Sequence, residues 1–95
     1  MNVIYSPRAT RDLETIAAYY RAVAKPKISA AVGERIHYVI DRLAEQPESG
    51  TRVGGLSGVR SVLALRYPYR IFYRVRSETI EILHIRHTSR RPWQA

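Results

Sequence analysis

The sequence predicts an α+β domain of order β-α-α-β-β-β, with a helical hairpin packed on one face of an antiparallel sheet. Between residues 7 and 46, apolar residues recur every three or four positions, which is typical of amphipathic helices. After residue 58 they alternate with polar residues, as in strands. The chain has 95 residues and no internal repeat, so we expect a single domain over 1–95.

The first strand and the first helix are marked by local signals. Asn2–Tyr5 is a short β-prone run, and Ser6-Pro7 supplies a favoured N-cap followed by proline at the first helical position. Lys25-Pro26 breaks the helix, because a residue before proline avoids the α region. The apolar stripe that predicts this helix consists of Ala9, Leu13, Ile16, Ala17, Tyr20 and Ala24.

A second helix is predicted from Pro26 to Gln46, where Pro47 follows. The tight break between the two helices predicts an antiparallel hairpin. Residues 47–58 have no steady period and contain Gly54, Gly55 and Gly58, so we expect a loop, with room for a short edge strand. The stripe that the second helix would bury consists of Ile28, Val32, Ile36, Val39, Ile40 and Leu43.

Three hairpin-linked strands are predicted at 59–65, 69–76 and 79–86, because these runs are rich in β-branched and aromatic residues. The last strand carries isoleucines on both faces, which is expected of a central strand. In the middle strand, side chains alternate between the two faces of the sheet. The set predicted to face the helices is Tyr69, Ile71, Tyr73 and Val75, and the opposite set is Arg70, Phe72, Arg74 and Arg76.

Positive charge is concentrated in the second half of the chain. The formal net charge is +8, and residues 51–95 hold nine arginines against two glutamates. The planar guanidinium suits phosphate and carboxylate groups, so this half indicates a nucleic acid or an acidic protein as partner. The alternative is a solvated basic surface that serves solubility.

Several classes of chemistry are not supported by the composition. The chain has no cysteine, which excludes disulfides, thiolate metal sites and thiol catalysis. The acidic residues are dispersed without ligand spacing, and no glycine-rich loop precedes a helix, so we expect neither a metal nor another cofactor. No apolar run approaches the roughly 18 residues that span a bilayer, and no signal peptide is evident, so we expect a cytoplasmic protein without a membrane partner.

The order of these motifs resembles the RelE/ParE superfamily of type II toxin–antitoxin toxins over roughly residues 3 to 93. The pattern starts with Ser6-Pro7 in front of the first helix and continues with Leu43, Pro47 and Gly50 where the second helix ends. Its most specific parts are PYRIFYRV at 68–75 and ILHIRHTSRRPW at 82–93. The ending with His87, Arg90, Pro92 and Trp93 is similar to the ParE-like, plasmid-stabilisation members.

The resemblance implies a growth inhibitor that is neutralised by a cognate acidic antitoxin, with which it can form a hetero-oligomer. ParE-like members poison DNA gyrase without catalytic residues of their own. RelE-like members instead cleave mRNA on the ribosome, which requires basic residues around the phosphate and a proton-transfer group. A third interpretation is an inactive member that only binds its antitoxin.

The nuclease alternative would use Arg70 and Arg90 to hold the phosphate and His87 for proton transfer. His84 and His87 are three residues apart in a strand, so we expect them on opposite faces. Two features weaken this alternative. Ser61 and Leu63 stand where a RelE pattern has lysines, and no tyrosine ends the chain.

Binding residues are predicted from the neighbouring strands and from the end of the chain. Cross-strand side chains lie about 5 Å apart at Cβ, so arginines from separate strands would form one basic patch. The alternative is that Arg70 pairs with Asp12 or Glu14 of the first helix and serves the fold. The predicted target- or antitoxin-binding residues are Arg60, Arg70, Arg74, Arg90, Arg91 and Trp93.

Overall fold

A computed structural model describes residues 1–89. It contains two helices, α1 (Pro7–Val23) and α2 (Pro26–Glu45). The predicted strands are present, although the run predicted at 59–65 ends two residues early and the run predicted at 79–86 extends by one residue. The strands are β1 (Asn2–Tyr5), β2 (Thr51–Arg52), β3 (Val59–Leu63), β4 (Tyr69–Arg76) and β5 (Thr79–His87).

The strands form one sheet in the order β1-β5-β4-β3-β2. The pairs β2–β3, β3–β4 and β4–β5 are antiparallel, whereas β1 runs parallel to β5. The predicted fold class is therefore confirmed, but the sheet is mixed instead of purely antiparallel. The direction of β1 is set by a partner more than 70 residues away, and no local pattern in the sequence records such a pairing.

The start of α1 is tied directly to the sheet. The Ser6 hydroxyl accepts a hydrogen bond from the Ala9 amide at 3.0 Å and donates one to the Leu83 carbonyl at 2.9 Å. One side chain thus caps the helix and fixes its first turn against β5. Within residues 1–89, neither helix combines the length and the apolar character needed to cross a membrane.

The core lies between the helical hairpin and one face of the sheet. The predicted alternation in β4 holds for Tyr69, Ile71 and Tyr73, which are buried against the helices. It fails for Val75, which is 36% exposed because the end of β4 is left uncovered by the helices. The cluster also contains Ala9, Ile16, Val32, Ile36, Ile40, Leu43, Ala64, Ile80, Ile82 and Ile85.

A β-bulge changes the alternation in β5. Phe72 pairs with His84, whereas the next residue, Tyr73, pairs with Ile82, so Leu83 is an extra residue in β5. Ile82 and Ile85 are three apart yet both belong to the core that faces the helices. The bulge therefore places His84 on the face of the sheet turned away from the helices.

Candidate functional site

We call the face of the sheet turned away from the helices the outer face. The register between the strands places residues of β3, β4 and β5 there as cross-strand neighbours. The outer face brings together two of the arginines predicted to bind, Arg70 and Arg74. Its members are Val59, Ser61, Leu63, Arg70, Phe72, Arg74, Arg76, Glu81, His84 and Arg86.

The two predicted arginines of the outer face have different partners. Arg70 Nη1 donates to the Ser61 hydroxyl at 3.0 Å, so the expected alternative of an ion pair with Asp12 or Glu14 is wrong. Arg74 Nη2 forms an ion pair with Glu81 at 2.7 Å. Among the residues that the structure describes, Arg70 therefore keeps an uncompensated positive charge, whereas Glu81 neutralises Arg74.

The centre of the outer face is an aromatic stack. Phe72 is only 3% exposed, and its ring stacks on the His84 imidazole with 5.8 Å between centroids. The Arg86 guanidinium lies over the same ring at 5.5 Å. Phe72 thus lies on the face that alternation predicts, but neighbouring side chains of the outer face bury it.

A cluster of polar side chains from α1 reaches the edge of β5 where β1 has ended. Asp12 Oδ2 lies 2.7 Å from His84 Nδ1 and accepts the Ile85 amide at 2.9 Å. Arg8 Nη2 is 3.4 Å from His84 Nε2. The two ring nitrogens of His84 thus face two charged side chains of α1, the Asp12 carboxylate and the Arg8 guanidinium. The sequence analysis missed this cluster, since its members are more than 70 residues apart.

Arg60 lies on the opposite side from Arg70 and Arg74, so the expectation of a single basic patch is wrong for this residue. It pairs with Tyr73 in the register and points towards the loop after α2. Its guanidinium donates to the Gly50 carbonyl at 2.8 Å and to the Glu48 carbonyl at 3.2 Å. Arg60 therefore fixes a loop in this structure.

Tyr73 holds the same loop from inside the core. Its hydroxyl accepts from the Gly50 amide at 2.9 Å and donates to the Pro47 carbonyl at 2.8 Å. A Cβ at Gly50 would come within 2.5 Å of this hydroxyl oxygen, so only glycine fits the close approach. Burial raises the pKa of Tyr73 above its ordinary value of 10.0, which keeps the hydroxyl available as a donor.

The predicted proton-transfer residue, His87, is not beside Arg70. Its ring lies edge-on to Tyr69, a core residue facing the helices, at 5.5 Å between centroids. The Ser89 hydroxyl is 2.6 Å from His87 Nδ1. His84 and His87 therefore lie on opposite faces, as expected. The other predicted residues, Arg90, Arg91 and Trp93, lie outside the described residues.

A cleft opens at the end of the sheet where the helices stop covering β4. Its lining is part apolar and part polar, and Arg52 and Arg60 lie among its lining residues together with Glu48. Within residues 1–89, no group of three His, Asp or Glu side chains is placed to hold a metal ion. The apolar lining is contributed by Met1, Pro47, Val53, Leu56, Val59 and Val75.

This chain is similar to known proteins in both sequence and fold. The sequence profile of the family described as the ParE toxin of type II toxin–antitoxin system, parDE, matches residues 3–92. "Putative toxin Y4kP" from Sinorhizobium fredii is 40% identical over 80 residues, covering 84% of this chain and 80% of that protein.

Solved structures agree on the architecture. A chain of the chromosomal ParDE system from P. aeruginosa superposes with a TM-score of 0.82 at 23% identity, covering 94% of this chain and 97% of that chain. A chain of the intact E. coli RelBE complex gives a TM-score of 0.65 at 13% identity over 94% and 98%. A chain of the RelBE2 complex from Mycobacterium tuberculosis gives 0.58 at 28% over 90% and 95%.

Two helices packed on a mixed five-stranded sheet are thus the fold of the RelE/ParE toxins. The family profile covers nearly the whole chain, and the Sinorhizobium relative shares two fifths of its aligned residues. The chain belongs to the ParE toxin family of type II toxin–antitoxin systems.

Proposed function

We propose that this toxin inhibits growth by poisoning DNA gyrase and that it acts by binding, without catalysis of its own. The observation that carries the proposal is the composition of the outer face. Arg70 offers a positively charged donor there, while the titratable residues beside it are engaged with other side chains. Family membership supports the same conclusion.

Phosphodiester cleavage needs a proton acceptor close to the cations that hold the phosphate. On the outer face, His84 is held by Asp12 with its side chain only 8% exposed, and Glu81 is paired with Arg74. His87 lies on the other face of the sheet, beside Tyr69. The geometry of residues 1–89 therefore favours a binding poison over the nuclease alternative built on Arg70, Arg90 and His87.

We further propose that a cognate acidic antitoxin neutralises the toxin. The P. aeruginosa ParDE, E. coli RelBE and M. tuberculosis RelBE2 structures are of toxin–antitoxin systems. The net charge of +8 favours capture of an acidic, largely disordered segment. The cleft beside Val75 offers apolar contacts, and Arg52 and Arg60 offer partners for carboxylates.

Purified toxin added to gyrase and supercoiled plasmid should trap cleaved DNA, and its expression in cells should induce the DNA-damage response. Arg70→Gln should weaken trapping by about tenfold, because we expect Arg70 to be among the few contacts that dominate binding. His87→Ala should leave trapping unchanged. The matched control is Arg21→Gln, which removes one exposed charge from α1.

The nuclease alternative makes the opposite prediction in the same cells. Cut mRNA without gyrase-dependent DNA breaks, abolished by His87→Ala in a variant with an unchanged circular dichroism spectrum, would overturn our proposal. An unimpaired growth rate, together with tight antitoxin binding, would identify an inactive member that only binds its antitoxin.

A further inference from the structure

We propose that the exposed side of α2 is a second docking surface, separate from the outer face, and that it binds an acidic helical segment of a protein partner. The surface consists of Arg35, Tyr38 and Arg42, which we call the α2 stripe. These residues are three and four positions apart, so they follow one side of the helix.

The geometry of the α2 stripe is that of an aromatic ring flanked by two cations. The Arg35 guanidinium carbon lies 5.0 Å from the centre of the Tyr38 ring, and that of Arg42 lies 6.0 Å from it. Tyr38 is nevertheless 45% exposed. Tyrosine and arginine are the residue types that most often dominate binding energy at protein interfaces.

Within the described residues, no carboxylate lies within 4.0 Å of either guanidinium of the α2 stripe. The carboxylates that contact a basic side chain there are Glu81, beside Arg74, and Asp12, beside His84. Arg35 Nε instead donates to the Leu65 carbonyl at 3.3 Å, which orients its remaining N–H groups. Leu65 is itself 60% exposed, so an exposed apolar residue adjoins Arg35.

The spacing of the two arginines indicates the shape of the partner. Seven helical residues span about 10.5 Å, which is two turns. A helix lying along α2 with two carboxylates seven residues apart would therefore meet Arg35 and Arg42 together, with an apolar residue against Tyr38. Carboxylates that bind a guanidinium through two hydrogen bonds supply strong and directional contacts.

The charges around the α2 stripe favour an acidic helix as its partner over a nucleic acid or a second copy of this chain. Helix α2 carries three basic residues, Lys27, Arg35 and Arg42, and also three acidic ones, Glu34, Asp41 and Glu45. This mixed field disfavours a nucleic acid, whose affinity depends on many phosphates meeting cations. A second copy of this chain carries a net charge of +8, so its overall field opposes approach to two arginines.

The test is a selection from displayed, random, helix-forming peptides of about 16 residues on the full chain. Counter-selection on Arg35→Gln/Arg42→Gln removes peptides that bind elsewhere. Synthetic peptides from the surviving sequences are then measured by fluorescence anisotropy against both proteins and Tyr38→Ala. The matched control, Arg21→Gln/Lys27→Gln, also removes two exposed charges from the helical hairpin.

We expect surviving peptides to carry acidic residues seven apart, and to lose about tenfold or more in affinity with the stripe variants but less than about twofold with the control. Equal losses of affinity in Arg35→Gln/Arg42→Gln and in the control double variant would show that only the net charge matters, and would overturn the proposal. Acidic residues only three apart would indicate an extended partner and overturn the helical geometry. Failure to recover any stripe-dependent peptide, or equal competition by a DNA duplex, would also refute it.

Discussion

The hydroxyl of Tyr73 connects the core of the sheet to the loop that follows α2, and its removal gives the sharpest test of the packing described above. In Tyr73→Phe the ring still fills its site, but the Gly50 amide and the Pro47 carbonyl lose their partner. Gly50 is buried, so its amide cannot turn to water, whereas the half-buried Pro47 carbonyl can be hydrated in part.

The expected loss follows from this difference in exposure. A buried donor without an acceptor costs about 1–3 kcal/mol, and the loss of the second hydrogen bond adds a smaller amount. We therefore expect Tyr73→Phe to lower the free energy of unfolding by about 2–3 kcal/mol. The total stability expected for a domain of this size is about 5–14 kcal/mol, so the change is a large fraction of it.

Urea denaturation followed by far-ultraviolet circular dichroism measures this change directly. Tyr19→Phe is the matched control, because Tyr19 is 57% exposed. We expect the control to stay within about 0.5 kcal/mol of the parent protein. If Tyr73→Phe unfolded at the same urea concentration as the control, the two hydrogen bonds would contribute nothing and the reasoning would be refuted.

Three further predictions concern stability. Gly50→Ala places a Cβ within 2.5 Å of the Tyr73 hydroxyl and should lower the free energy of unfolding by about 1–3 kcal/mol. A Cβ at Gly54 has no atom within 4 Å, so Gly54→Ala should have the melting temperature of the parent protein in calorimetry. Asp12→Ala removes the acceptor of the Ile85 amide and should lower the free energy of unfolding, measured in urea, by about 1–3 kcal/mol. Asp12→Asn should lower it less, and equal losses in the two variants would contradict the acceptor role. Burial and the nearby Asp41 carboxylate raise the pKa of Tyr5, so the folded protein holds this phenolic proton more tightly than the unfolded chain. The contribution of this raised pKa to the free energy of unfolding is fully present below pH 10 and is lost as the pH rises through the pKa of the folded state. We therefore expect the urea midpoint to decrease as the pH is raised above 10, and to decrease less steeply in Tyr5→Phe.

The parts of the fold that depend on local signals were predicted from the sequence. Ser6-Pro7 defined the start of α1, and Pro26 defined the start of α2. Alternation identified Tyr69, Ile71 and Tyr73 as residues of β4 that face the helices. These features follow from capping, from the fixed φ of proline and from a period of two, all of which act over a few residues.

The features that the sequence did not predict depend on contacts between residues distant in the chain. The parallel pairing of β1, the bulge at Leu83 and the contact between Asp12 and His84 each join segments that the sequence alone does not relate. Arg60 was assigned to the basic patch because its strand was predicted to neighbour the strand of Arg70. The prediction did not establish which face of the sheet its side chain takes. Its alignment with Tyr73, a core residue, could have shown which side it takes.

The position of β1 beside β5 has a consequence for how the protein is made. Among the five strands of residues 1–89, β1 is synthesised first and pairs only with β5, the fifth, so this edge of the sheet forms only after residues 79–82 have been synthesised. Pairing between sequence-distant strands is slow, because the chain must close a long loop before the contact is gained. In the nascent chain, β1 therefore lacks its sheet partner until β5 has left the ribosome.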